Sequence, residues 1–136
     1  MILVDTAPLV AIVDPRDALH STALKHLAAL SSAGLWVCEA IVMEACFHLP
    51  QRRQRERLRA ALGELNIDSL PTGDGGFWSD VFAWLVKYAD HEPDWADGCI
   101  AVLCGYHKGL KVWTYDREFQ TTWRRADGKA IPLAIK

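Results

Sequence analysis

Nothing in this sequence has the spacing of a zinc site or a redox pair. Cys38, Cys46, Cys99 and Cys104 form no C-x-x-C. Each sits among apolar neighbours and reads as a small buried hydrophobe rather than a ligand or disulfide partner. The five histidines, His20, His26, His48, His91 and His107, supply no H-x-x-x-H and no mixed Cys/His cluster. No apolar run approaches the roughly eighteen residues that a bilayer span requires. The first residues lack the basic-then-apolar order of a secretory signal, so a cytoplasmic protein without membrane association is expected. Internal repeats and low-complexity segments are missing as well. The formal net charge is only −2, which does not announce a nucleic-acid binder, since those are often basic. An acidic site and a basic rim would cancel in such a total, so the local distribution of charge carries more information.

What remains is a chain of 136 residues, 51% hydrophobic and 24% charged. That is one folded domain, residues 1–136, with enough chain to bury a core and too much apolar content for disorder. Strand and helix signals alternate along it. Met1 to Val4 is a continuous apolar run suited to a strand covered on both faces. Pro8 to Val13 can begin a short helix, and Asp17 can cap a longer one through Leu19, Ala23, Leu27 and Leu30 to a stop at Gly34. Leu35 to Cys38 is a second strand. Ala40 to Leu49 reads as a helix apolar nearly all round, hence buried. Pro50 opens another, with Leu58, Ala61, Leu62 and Leu65 as its apolar stripe.

Asn66 to Leu70 reads as a third strand, ended by the loop-rich Pro71-Thr72-Gly73-Asp74-Gly75-Gly76. Phe77 to Ala89 is helical, with Val81, Trp84, Leu85 and Tyr88 at helical spacing. A further helix starts at Pro93-Asp94 and runs through Cys104 to His107. Gly109 closes it before a fourth strand, Leu110 to Tyr115, and Ala130 to Ile135 can form a fifth, edge strand that tolerates Pro132. The alternation predicts an α/β protein with a mostly parallel sheet.

Four carboxylates stand out in this frame. Asp5 and Asp116 each follow a strand at its carboxyl end, and in open α/β sheets ligands bind beyond those ends, where strand order reverses. A turn-forming Asp that bonds nearby amides is the plainer reading of Asp5. Glu44 is the only charge between Ala40 and Phe47, with no basic residue one turn away except His48 at i+4. A carboxylate in so apolar a helix is costly unless it is paired or binds a cation. Asp94 suits a helix N-cap and Asp97 the third helical position, where a carboxylate also favours the dipole. Asp97 nonetheless continues the face of Ala101 and Cys104, and spacing alone does not choose between it and Asp94.

At these motifs the chain resembles the PIN-domain nucleases. Met1-Ile2-Leu3-Val4-Asp5-Thr6 looks like their opening strand and acid, and Pro93-Asp94-Trp95-Ala96-Asp97-Gly98-Cys99-Ile100-Ala101 is similar to their D-x-x-D-A-x-I-A helix start. Trp113-Thr114-Tyr115-Asp116-Arg117-Glu118-Phe119 matches their T-x-D-x-x-F ending. In size and pattern the chain is most similar to the VapC-like toxins of bacterial toxin–antitoxin pairs. The resemblance implies a PIN-like, Rossmann-like three-layer fold with a sheet of four to five strands, order 3-2-1-4-5. It implies that Asp5, Glu44, Asp97 and Asp116 bind metal, with Asp94 as an additional acid and Thr114 as a supporting hydroxyl. Gly98 stands where Ala is usual, which could loosen the helix presenting Asp97. Tyr115 stands where a smaller or aliphatic residue is common.

The chemistry expected of such a quartet follows from charge. Carboxylates held close repel one another, so some stay protonated or splay apart without metal. One or two Mg²⁺ or Mn²⁺ ions would relieve the repulsion and bind a substrate phosphate. Spacing suggests metal-assisted hydrolysis; the resemblance implies endonucleolytic cleavage of RNA to a 5′-phosphate and a 3′-hydroxyl, a homodimer, and a cognate antitoxin. Arg52, Arg53, Arg55, Arg57 and Arg59 crowd one helix start, where Glu56 and Glu64 dilute them, and Arg117, Arg124, Arg125 and Lys129 gather near the last acid. The second cluster is the expected RNA contact, because Arg117 adjoins Asp116. Of six tryptophans, most are expected in the core or an interface, with base stacking reserved for Trp95 or Trp123. Asp5-Thr6-Ala7 lacks the second acid of a haloacid-type phosphotransferase, and Asp68 is a poor match to a receiver's phosphoacceptor. The rival from another class is a catalytically silent PIN-like module that binds RNA or protein.

Overall fold

The computed structural model describes residues 1–135. Its strands are β1 (Ile2–Val4), β2 (Leu35–Val37), β3 (Asp68–Ser69) and β4 (Lys111–Trp113). Its helices are α1 (Thr6–Val13), α2 (His20–Leu30), α3 (Glu39–His48), α4 (Arg52–Glu64), α5 (Gly75–Lys87), α6 (Trp95–Tyr106) and the short α7 (Glu118–Thr121). The sheet order is 3-2-1-4 and every pairing is parallel. β1 is central, with Leu3 opposite Trp36 on one side and Val112 on the other. Parallel neighbours need long crossovers, and their right-handedness sends α1 to α4 to one face and α5 and α6 to the other. Packing agrees: α1 lies against α2, α3 and α4, and α5 lies against α6. Ile2, Leu3 and Val4 are all buried, as a strand covered on both faces requires. Among the described residues no helix is long and apolar enough to cross a membrane.

The predicted fifth strand shrinks to two isolated bridges, Ala130 with Arg124 and Leu133 with Val112. Val112 pairs with Leu133 in parallel, donating its N–H to the Pro132 carbonyl and accepting from Ala134, both at 2.8 Å. Pro132 has no N–H to extend the ladder, so residues 130–135 flank β4 without forming a strand. Two local expectations also change. α2 begins at His20 and not under an Asp17 cap; Asp17 instead accepts the Leu19 N–H at 2.8 Å and closes the preceding turn. α3 is not buried all round, because Met43 is 63% and Phe47 81% exposed.

Gly98 does something other than loosen α6. A Cβ built there would lie 2.9 Å from Val81 Cγ1 and 3.3 Å from Trp84 Cε3. Both side chains are buried on α5, so the missing side chain is what lets the two helices approach. Gly98→Ala should therefore destabilise the fold. Overpacking costs roughly 1–3 kcal/mol, the gain in helix propensity returns about 1 kcal/mol, and urea melts should show a net loss of about 1 kcal/mol. A Gly98→Ala protein more stable than the parent would contradict this.

Candidate active site

Asp5 ends β1 and caps α1. Its Oδ1 accepts the Thr6 N–H at 2.7 Å and its Oδ2 accepts the Thr114 hydroxyl at 2.7 Å. It is nearly buried, and burial pushes its carboxyl above the ordinary range despite those two hydrogen bonds; the charges of Asp116 and Asp94 push the same way. Thr114 is the hinge of this arrangement. Its Oγ1 donates to Asp5 and accepts the Asp116 N–H at 3.0 Å, so one buried hydroxyl fixes both strand-end acids. The side chain of Asp116 in turn accepts the Glu118 N–H at 2.9 Å.

Glu44 reaches the same place from α3, where the Thr6 hydroxyl donates to its Oε1 over a long 3.4 Å. Burial, then the charges of Asp94 and Asp5, push its carboxyl up to about 7. Asp94 and Asp97 form a reciprocal cap at the start of α6. Asp94 Oδ1 accepts the Asp97 N–H at 2.8 Å, and Asp97 Oδ2 accepts the Asp94 N–H at 3.1 Å. Burial, with the Asp94 charge next, pushes Asp97 up to about 8. The choice between these two acids dissolves in the geometry, since both line one cleft with Asp5, Glu44 and Asp116. That cleft has a volume of about 330 Å³, and its outer wall is formed by Ala7, Val10, Asp17, Leu19 and His48.

As placed, no three His, Cys, Asp or Glu side chains among the described residues gather closely enough to hold one ion. Like charge keeps unneutralised carboxylates apart, and Asp94 and Asp97 each turn an oxygen onto the other's backbone.

A family model for the PIN domain matches residues 2–123. The chain belongs to the PIN domain family. Among solved structures it is similar to VapC20 of Mycobacterium tuberculosis, described as a sarcin-ricin loop cleaving toxin, with a TM-score of 0.72 and 22% identity over 88% of this chain and 93% of that one. At that identity the likeness is one of fold. No curated protein matches the chain.

This PIN domain brings its acids together but not its second arginine cluster. Arg117, Arg124 and Arg125 do not line the cleft. Arg125 is bonded to Asp127 at 2.8 Å, and Arg124 donates to the Trp123 carbonyl at 3.0 Å. Trp123 is buried among Trp84, Tyr88 and His91, which removes it as a stacking surface. Trp95 is half-buried, edge-on to Phe82. Tyr115 ties the end of β4 to α2, its hydroxyl 2.8 Å from His26 Nδ1.

Sequence reasoning missed three cleft residues. Thr6 had a signal, a hydroxyl directly after the first acid at a helix start. Asp17 was absorbed into a capping role, and His48 was weighed only as a partner for Glu44, to which it makes no hydrogen bond among the described residues.

Proposed function

We propose that this PIN domain is a divalent-cation-dependent endoribonuclease, the toxin of a toxin–antitoxin pair. The observation that carries the reading is the convergence of Asp5, Glu44, Asp94, Asp97 and Asp116 on one cleft beyond the sheet's switch point. An all-oxygen donor set suits a hard cation such as Mg²⁺ or Mn²⁺. Carboxyls raised by burial and mutual repulsion are those that a cation would return to the ionised state. Asp5, Asp116, Glu44 and Asp97 are the residues to hold it, with Asp94 beside them. When bound, the cation would supply Lewis-acid polarisation of a phosphate and offset its charge.

The chain's own groups do the rest. Thr114 keeps Asp5 and Asp116 in fixed positions, so little reorganisation is needed when substrate arrives. Glu44 and Asp97, raised to about 7 and about 8, can hold or give up a proton near neutral pH. Support for RNA as substrate comes from membership of the PIN family and from fold likeness to a toxin described as cleaving the sarcin-ricin loop.

On this reading residues 1–136 act as one cytoplasmic domain with an antitoxin partner. A second copy would pair through the exposed apolar side chains Met43 and Phe47 of α3 and Trp78, Phe82 and Val86 of α5, each series spaced four residues apart on its helix. The test is to incubate cellular RNA with the purified protein in Mg²⁺ or Mn²⁺ and map the new ends against an Asp116→Ala control. Discrete 5′-phosphate ends that require Asp116 are expected. If the wild type neither cuts RNA nor binds either cation by calorimetry, a silent binding module is the reading that remains.

A further inference from the structure

Among the described residues six carboxylates line the cleft, His48 is its only nitrogen base, and no Lys or Arg contributes. A polyanion needs cationic contacts beyond such a site. Two of the arginines following β4, Arg124 and Arg125, are spent on the protein itself, and Arg117 is exposed but does not line the cleft. Arg125 pairs with Asp127, and its charge acts on Cys104, seven residues past Asp97 and so about 10 Å along α6 from the cleft.

α4 offers a different arrangement. Arg55 donates from Nε to the Leu49 carbonyl at 3.1 Å and from Nη2 to the Cys46 carbonyl at 3.0 Å. Those bonds satisfy the open end of α3 and pin the start of α4 next to His48. Arg52 is held by Glu56 at 3.0 Å. Arg53 and Arg57 are exposed, one turn apart, and make no hydrogen bond or ion pair among the described residues. The five residues from His48 to Arg53 span at most ~18 Å of chain, a distance that a few nucleotides cover.

We propose that the RNA strand leaves the acidic cleft over His48 and continues along Arg53 and Arg57 of α4. The inference rests on the ribonuclease reading and replaces Arg124 and Arg125 as the expected substrate contacts. His48 donates an N–H to a phosphate oxygen at the rim, and the two arginines hold backbone phosphates without reading sequence. Arg55 keeps this track in register with the cleft and is a positioning residue.

The experiment pairs fluorescence anisotropy on a labelled single-stranded oligoribonucleotide with steady-state cleavage, using the full chain. The double substitution Arg53→Ala and Arg57→Ala should raise Kd and KM by on the order of tenfold at unchanged kcat. At ~0.7 per phosphate contact on a single strand, the slope of log K against log salt should fall by about 1.4. His48→Ala should raise KM a few-fold. Ala favours helix, so α4 should persist, and a thermal melt checks this. The control pair Arg124→Ala and Arg125→Ala should bind as the wild type does. If the α4 variant binds RNA with wild-type affinity and salt slope, the track is wrong. A wild type that binds RNA through these arginines but never cleaves it would end the nuclease reading and leave the track standing. A wild type that binds no RNA ends both.

Discussion

Asp5→Asn should lower RNA cleavage by on the order of 10³-fold while leaving the fold intact. The side chain is nearly isosteric, so its amide oxygen can keep the Thr6 N–H bond that caps α1. What disappears is the charge at the centre of the carboxylate group, which Asp116 and Asp94 both face. Removing one preorganised electrostatic contact to a reacting centre costs roughly 10²–10³ in rate, and Asp5 is the most buried of the acids. Stability should not fall with activity. A buried carboxylate repelled by two others is a destabilising group, and Asn removes that repulsion at the cost of reorienting the Thr114 hydrogen bond. Single-turnover cleavage in Mn²⁺ alongside thermal melting separates the two effects. Wild-type cleavage by the variant would remove Asp5 from the site, and a collapse in Tm with no native signal would place it in the scaffold alone.

Asp5 is also where the sequence was most legible. A strand buried on both faces is a run of apolar residues, and a polar residue ending such a run must lie at the sheet's rim. Reading β1 and β4 this way puts Asp5 and Asp116 at strand ends; their adjacency was implied only by the family resemblance, and the structure has β1 and β4 as neighbours in register from Ile2 opposite Lys111 to Val4 opposite Trp113. Glu44 was visible for a related reason, an unpaired charge in an apolar helix. The ambiguity between Asp94 and Asp97 was inherent. Residues three apart that cap each other share one turn, and each supports the other's backbone.

The features that stayed hidden are those that depend on what a residue meets rather than what it is. Met43 and Phe47 are apolar at helical positions, and nothing local tells a side chain facing the core from one facing a partner. Gly98 looks like a weak spot in a helix until Val81 and Trp84 are placed against it. Arg125 is a free cation in the sequence and a partner of Asp127 in space. Pro132 shows the opposite case, since its missing N–H was visible but the strand around it was still expected.

Without divalent cation, the protein should lose stability as pH rises from about 5 to about 8. Glu44 moves from its ordinary 4.5 up to about 7 and Asp97 from 3.8 up to about 8. Between the ordinary and raised values the folded chain holds more protons than the unfolded chain, so stability falls with each unit of pH across that window and levels off above it. Asp5 shifts in the same direction. Each unit corresponds to about 1.4 kcal/mol for a fully shielded group. Both Glu44 and Asp97 are partly open to water, and screening leaves on the order of 2 kcal/mol for the set, a Tm fall of roughly 4–8 °C. Mg²⁺ or Mn²⁺ should reverse the loss by replacing the protons, so the cation-induced rise in Tm should be several degrees at pH 8 and small at pH 5. Calorimetric melts in EDTA and in each cation at the two pH values test this without any substrate. Glu44→Gln combined with Asp97→Asn should flatten the pH dependence and abolish the cation's effect together, because both arise from the same crowded carboxyls. A cation-free Tm that climbs between pH 5 and pH 8 would mean that these acids are ionised and compensated in the folded chain, and the case for a cation among them would lose its electrostatic basis.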